Sequence, residues 1–326
     1  MKALRGCTDP NAGPVRRPTS EADSDVDANR PTPFVSVVIP VFDDPDRLRT
    51  CLQALEHQTY PKPRYEVIVV DNGSARSVPP LVGQFGQARA TYEMVPGANA
   101  ARNRGISLAR GEILAFTDAD CVPARDWLTK GVRQFLLTPN CGLLAGGIEV
   151  FSRDPAHPAA AEVYDALTAF PQKILIEERG YGATANVFTS RAVLEHAGLF
   201  DGTLKSGADV LWGRRVRSLG YRLTYAEDVC VRHPARPSWR ELRRRQIRLV
   251  GGQQDAKRKR GYSWRELGFD LALDLLPSLQ WARQLWQGTT VGGHTTRAKV
   301  VLIMWSLKYV SAWERLRLQL GGQARR

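Results

Sequence analysis

Two acids close an apolar run, Ile113-Leu-Ala-Phe-Thr-Asp-Ala-Asp120. Side chains alternate faces along a strand, so a strand carried through this run points Asp118 and Asp120 the same way. Neighbouring carboxylates repel each other unless something positive stands between them. A divalent cation holding a phosphate-bearing ligand suits such a pair; a solvated turn with two acids is the plainer alternative. Acids recur after two other apolar runs. Asp43 follows Phe34-Val-Ser-Val-Val-Ile-Pro40, and Asp71 closes Tyr65-Glu-Val-Ile-Val-Val70. Strand ends of a parallel sheet meet at one crevice, where such folds bind ligands. Turn chemistry also favours Asp and Asn at these places, but three acid-bearing ends together are harder to ascribe to turns alone. Between them lies Gly97-Ala-Asn-Ala-Ala-Arg-Asn-Arg-Gly105. Its small residues allow a backbone to approach a ligand closely, and Arg102 and Arg104 suit phosphate or a base edge. Taken alone, the segment reads as a surface helix with two solvated arginines.

The elements that must carry these residues alternate in type. Buried-strand patterns cover 34–40, 65–70 and 113–117, with a further strand candidate over 88–95. Helical spacing covers 46–58 and 98–109. Such alternation indicates βαβ units and a parallel sheet, the layout of a Rossmann-type nucleotide fold. No G-x-G-x-x-G follows the first strand, which weighs against NAD or FAD. The second half is less regular. Strands are expected over 142–150, 183–188 and 221–225, and helices over 158–178 and 209–219, the last ended by Gly220. Residues 1–33 are rich in Pro, Asp, Arg and Ala without periodicity and read as a disordered leader.

A chain of 326 residues holds one large domain or two small ones. Cys7, Cys51, Cys121, Cys141 and Cys230 are scattered and form no C-x-x-C pair. That points to a reducing compartment and away from a disulfide framework or structural zinc. No apolar signal region opens the chain. No run reaches the ~18 consecutive apolar residues of a membrane-spanning helix, so a cytoplasmic protein is expected. The net charge of +13 calls for an anionic partner, such as nucleotides, anionic lipid or nucleic acid.

In chain order, five segments resemble the motifs of the family 2 glycosyltransferases. They are Val37-Val-Ile-Pro-Val-Phe-Asp43, Val69-Val-Asp-Asn-Gly-Ser74, Ala101-Arg-Asn-Arg-Gly105, Phe116-Thr-Asp-Ala-Asp120 and Gly207-Ala-Asp209. Each is weak alone; the ordered set, spanning Val35 to Gly252, is specific. The resemblance implies the GT-A fold, an α/β architecture with a Rossmann-like, mostly parallel sheet flanked by helices. It implies an inverting, metal-dependent enzyme that moves one sugar from a nucleoside diphosphate sugar to a hydroxyl acceptor. A UDP-sugar is the expected donor, and a lipid-linked acceptor is in view. The catalytic domain would cover 34–235, with a nucleotide-binding half at 34–121 and an acceptor half at 122–235. A basic amphipathic helical extension would follow at 236–326.

The resemblance also assigns roles. Asp43 and Asp71 would hold the nucleobase beside Pro40, and Arg102 the base or ribose region. Asp118 would contact ribose or metal-bound water. Asp120 would ligate Mg²⁺ or Mn²⁺ on the pyrophosphate, and His233 would complete the metal shell. Asp209 would be the general base. Asn186, in Gly180-Tyr-Gly-Ala-Thr-Ala-Asn186, is a hydrogen-bonding candidate at the donor sugar, against the alternative of a Gly-rich turn. The chain departs from the family pattern twice. Ala208 stands where the family usually has Glu or Gly. The Gln-x-x-Arg-Trp signature of processive synthases is missing, since Gln246-Ile-Arg248 has no Trp after it. Transfer of a single sugar is therefore favoured.

From Trp239 the chain turns helical and basic. Between Arg232 and Arg265 stand twelve Arg or Lys and two acids, Glu241 and Asp255. Segments 264–287 and 296–319 mix aliphatic residues and cations with Trp264, Trp281, Trp286, Trp305 and Trp313. Trp with Arg and Lys around an apolar face is the composition of helices that lie in a membrane interface. The extension is therefore expected to sit peripherally on the inner face of the cell membrane; helices packed on the catalytic domain are the alternative. No nucleic acid is expected as partner, because the aromatics follow no recognised nucleic-acid pattern. Two rival readings stand beside the enzyme: a nucleotide-sugar-binding protein without turnover, and a nucleotidyltransferase. The second needs a Gly-rich phosphate loop with a Lys after the first strand, where this chain has Val41-Phe-Asp-Asp-Pro45.

Overall fold

The computed structural model describes residues 32–204, 206–258, 261–276, 279–287 and 293–324. The expected leader lies outside the described residues except for its last two positions. Strands β1 (Val35–Val41), β2 (Tyr65–Asp71) and β4 (Ile113–Thr117) are buried almost throughout, on both faces. Continuous β-branched runs of this kind suit parallel strands covered on both sides. Together with β3 (Ala88–Tyr92) they form a parallel array in the order β3-β2-β1-β4. Val41 stands opposite Asp71, so the carboxyl ends of β1 and β2 are level. Helix α1 (Pro45–Glu56) opens with Asp44 accepting from the Arg47 amide at 3.3 Å and Pro45 at the first position. A short α2 (Pro79–Val82), not expected from the sequence, precedes β3.

Helix α3 (Ala98–Leu108) lies against β1 and β2. A Cβ at position 105 would stand 2.4 Å from a Val38 methyl, so Gly105 serves helix-to-sheet contact. That corrects the expectation that this glycine makes room for a ligand.

The second half adds β5 (Val122–Pro123), α4 (Trp127–Leu137), β6 (Cys141–Phe151) and β7 (Asn186–Ser190). Between β6 and β7 the helix expected over 158–178 is two, α5 (Ala160–Thr168) and α6 (Gln172–Glu177). Pro171 separates them, because its ring clashes with a continuing helix. Helices α7 (Arg191–Ala197) and α8 (Ala208–Ser218) lead to β8 (Arg222–Pro234). The eight strands follow the order β3-β2-β1-β4-β7-β6-β8-β5. Pairing is antiparallel at β4–β7, β7–β6 and β8–β5, and parallel at β6–β8. The sheet is thus parallel in its first half and mixed in its second.

Strand β8 runs well past the expected 221–225. Its register slips where Ala226 pairs with Gly146 and Cys230 with Gly147. The polar Glu227-Asp228 bulges out there, which hides the strand from pattern reading and carries it on to His233. Two cores cover the faces of the sheet. One gathers around Trp127, Leu128 and Phe188, the other around Phe116, Phe200 and Trp212.

Helices α9 (Trp239–Arg258), α10 (Trp264–Leu275), α11 (Leu279–Gln287) and α12 (His294–Gln319) form the C-terminal region. It is fastened to α5 by an ion pair. Asp165, with no exposed surface, accepts from the Arg236 amide at 3.0 Å and from its Nη1 at 2.9 and 3.2 Å. Among the described residues no helix is long and apolar enough to cross a membrane. Cys51, Cys121 and Cys141 are free and buried.

Glu66 ties three strands together before β4 begins. Its carboxylate takes the Ser36 hydroxyl (2.7 Å), the Arg110 amide (2.8 Å) and the guanidiniums of Arg89 and Arg110 (3.2 Å each). Burial pushes this carboxyl up, but the Arg110 amide, the Ser36 hydroxyl and the two arginines together hold it below its usual range. Glu66→Gln should lower stability by about 1–3 kcal/mol in urea unfolding at neutral pH. A depressed folded pKa gives stability above the unfolded value and loses it below. The gap between wild type and variant should therefore close as pH falls through the folded pKa.

Candidate active site

Strand β4 stops at Thr117, and Asp118 to Asp120 form a turn closed by the Cys121 amide on the Asp118 carbonyl (3.0 Å). The strand alternation expected for these acids does not apply, and each takes a different partner. Asp118 Oδ1 accepts from Arg102 Nη2 of α3 at 2.6 Å. Arg102 Nη1 donates to Asn99 Oδ1 at 3.2 Å, and Asn99 Nδ2 donates in turn to the Leu204 carbonyl. Arg102 is 7% exposed and Asp118 31%, so the acid faces the crevice and the guanidinium backs it.

Asp120 Oδ2 lies 3.3 Å from His233 Nε2, near the end of β8. His233 Nδ1 stands 2.8 Å from the Pro234 carbonyl, which can only accept, so Nδ1 carries a hydrogen. With Nδ1 on the Pro234 carbonyl, Nε2 donates to the Asp120 carboxylate when the ring is protonated. Burial alone would raise the Asp120 carboxyl, but the hydrogen bond and charge of His233 hold it below its usual range. Burial alone would lower the His233 imidazolium, and Asp120 lifts it above its usual value.

The other strand ends meet in one loop. Asp71 Oδ1 accepts from the Ser74 amide (2.9 Å) and Asp43 Oδ1 from the Ala75 amide (2.6 Å), while the Asp43 amide donates to Ser74 Oγ (2.9 Å). Asp43 has φ +52°, a left-handed conformation that Asp tolerates better than most residues. Pro40 pairs with Val70 just before these ends. Asn72, not singled out in the sequence, holds the loop to the start of α3. It donates to the Glu93 and Val95 carbonyls (2.9 and 2.8 Å) and accepts from the Gly97 amide (2.6 Å).

Asp209 occupies the first turn of α8, after Gly207 at φ +83°. Its Oδ1 accepts from the Val210 amide at 2.9 Å. Burial pushes the Asp209 carboxyl above its usual range; Arg102 opposes this and Asp118 adds to it. Asp209 thus lies within electrostatic reach of the Arg102–Asp118 pair. Arg248 of α9 lies within electrostatic reach of Asp118 and Asp120. The protein packed around this exposed side chain, with help from Arg236, pulls its pKa below the usual guanidinium value, while the charges of Asp118 and Asp120 oppose. Sequence reading met Arg248 only as part of an absent processive signature. Its signal was a cation in a helical run, which nothing local connects to acids far upstream.

One expected residue is not in the crevice. Asn186 is fully buried at the start of β7. Its Oδ1 accepts from Trp127 Nε1, and its Nδ2 donates to the Gly147 and Val229 carbonyls, all at 2.8 Å. The side chain is an internal strut between β6, β8 and α4, because no donor of its own remains for a ligand.

A parallel half-sheet with acids gathered at its carboxyl ends, joined to a mixed half that supplies His233 and Asp209, defines a glycosyltransferase of the GT-A type. The model for "Glycosyl transferase family 2" matches residues 36–196. Glycosyltransferase AglE of Haloferax volcanii is 42% identical over 226 residues, covering 68% of this chain and 73% of that protein. The dolichyl N-acetyl-alpha-D-glucosaminyl phosphate 3-beta-D-2,3-diacetamido-2,3-dideoxy-beta-D-glucuronosyltransferase of Methanococcus voltae is 21% identical, over 70% of this chain and 75% of that one. A mannosyltransferase of Pyrobaculum calidifontis, solved with GDP-mannose and Mn²⁺, shares the fold with a TM-score of 0.58 at 22% identity, over 87% of each chain. The chain belongs to glycosyltransferase family 2 and is a sugar-transferring enzyme.

Asp118→Asn should destabilise the fold by at least about 2 kcal/mol, because it leaves the buried Arg102 charge without its partner. Asp43→Asn, at an exposed position, should cost under about 1 kcal/mol. Thermal unfolding of the two variants side by side checks the difference.

Proposed function

We propose that the protein is an inverting, metal-dependent glycosyltransferase that moves one sugar from a nucleoside diphosphate donor to a hydroxyl acceptor. The observation that carries this reading is the pair of ion pairs after β4, Arg102–Asp118 and Asp120–His233, with Asp209 within electrostatic reach of the first. Asp43, Asp71 and Pro40 line the nucleobase end, and the Asn72 hydrogen bonds hold that loop in place. A UDP-sugar is the first donor to try, and the GDP-mannose bound by the Pyrobaculum calidifontis enzyme makes GDP-sugars the second. The name of the Methanococcus voltae relative, a dolichyl phosphate substrate, supports a lipid-linked acceptor.

Asp120 and His233 fit a divalent cation. An oxygen and an imidazole nitrogen face each other, and the Nδ1–H on Pro234 leaves Nε2 as the ligand atom. Among the described residues no group of three or more His, Cys, Asp or Glu gathers into a closed metal cage. Two protein ligands suit Mg²⁺ or Mn²⁺ that also takes substrate phosphate and water. When bound, the cation would stabilise the charge that gathers on the departing nucleoside diphosphate. Arg248 would add positive charge on the same side. Arg102 keeps Asp118 aimed at the donor ribose. Asp209 takes the proton from the acceptor hydroxyl as that oxygen attacks the anomeric carbon opposite the leaving group, which inverts the centre. Its raised pKa brings its basicity nearer to neutral pH. Family membership favours this reading over a binding protein without turnover and over a nucleotidyltransferase.

Release of nucleoside diphosphate from a panel of UDP- and GDP-sugars in Mn²⁺ should identify one donor. Asp120→Ala should lower that rate by about 10²–10³-fold and weaken Mn²⁺ binding read by electron paramagnetic resonance. Unchanged Mn²⁺ affinity would remove Asp120 from the metal site. Asp209→Asn should cost about 10²–10⁴ in kcat with little change in donor KM. Only the ionised carboxylate acts as base, so wild-type kcat/KM should fall as pH drops through the raised Asp209 pKa. That acid limb should lie above the ordinary carboxylate range, and Asp209→Asn should lack it.

A further inference from the structure

Helix α10 turns two acids inward and aliphatic side chains outward. Leu267, Asp270, Leu271 and Asp274 share one face at helical spacing, and that face is turned inward. Its two acids are held by cations of the neighbouring helices. Asp270 pairs with Lys257 and accepts from Tyr262 OH (2.6 Å), and Asp274 accepts from Arg315 Nε (2.8 Å). The opposite face carries Phe269, Leu273 and Leu276, which are 66%, 51% and 60% exposed. Leu279, which opens α11, is 67% exposed. An amphipathic helix in water normally buries its apolar face. Here ion pairs hold two acids inward beside Leu267 and Leu271 and leave a second, apolar face out, so a partner of apolar character is implied.

Charge selects the partner. Residues 236–326 hold 19 Arg or Lys and 6 Asp or Glu, so the whole excess of +13 resides in this region. A second copy of the chain would set this charge against itself. A nucleic acid would match the charge but not the aliphatic face. An anionic bilayer matches both, with acyl chains for the apolar face and headgroups for the cations. We propose that the outward face of α10, continued by Leu279, docks the protein on an anionic lipid bilayer. A bilayer at this surface would also give the enzyme access to a lipid-borne acceptor, but the docking itself stands independently of the donor chemistry.

The test uses the full chain and vesicles of phosphatidylcholine, alone or mixed with phosphatidylglycerol. Sedimentation should show binding to the mixed vesicles, weaker binding to the neutral ones, and loss of the difference at high salt. Phe269→Ser/Leu273→Ser changes only exposed side chains and should keep the melting temperature and the rate of nucleoside diphosphate release in solution. It should lower partition onto mixed vesicles about tenfold or more, given about 25 cal/mol per Å² of apolar surface no longer inserted. Equal binding of variant and wild type would overturn the proposal, as would no binding at low salt. So would a wild-type dimer in light scattering that the same double substitution dissociates, because a second copy would then cover this face.

Discussion

Two carboxylates close together after one strand are unstable neighbours, and the site is organised around relieving that repulsion. Asp118 and Asp120 each receive a cation from elsewhere in the chain: Arg102 from α3, and His233 from β8. Both partners are nearly buried while the acids keep part of their surface exposed. A side chain paired with a buried counter-charge is fixed in direction, as a preorganised binding site requires.

That requirement reaches far into the fold. Arg102 can meet Asp118 only because α3 lies close on β1 and β2, and Gly105 is what permits that approach. His233 can meet Asp120 only because β8 continues through a bulge after Gly146 and carries the histidine along β6. Asn186 fastens the region between, spending its side chain on α4, β6 and β8. These contacts touch no proposed ligand, yet each sets the position of a group that does.

The C-terminal helices extend the same logic. A buried ion pair, Asp165 with Arg236, ties the link before α9 to α5, and α9 carries Arg248 within electrostatic reach of Asp118 and Asp120. Farther out, the arrangement inverts. The ion pairs of α10 with α9 and α12 face inward, and its aliphatic side chains face out. One part of the region thus completes the electrostatics of the crevice, and another presents a surface unlike that of a helix finished in water.

Much of the site was legible in the sequence because strand ends are marked by local pattern. Apolar runs closed by Asp43, Asp71 and Asp118 give the parallel half-sheet, and a parallel sheet brings its carboxyl ends together whatever the loops do. The ordered motifs extended this to the family. Local pattern failed where the decisive interaction was long-range. The bulge in β8, the burial of Asn186 and the approach of Arg248 depend on partners tens to more than a hundred residues away. The sequence by itself determined which residues can carry charge and at which strand ends they stand. The tertiary structure alone decided which cation answers which acid, and which face of a helix meets solvent. Periodicity records the neighbours along a chain, whereas ion pairing and burial are set by neighbours across it.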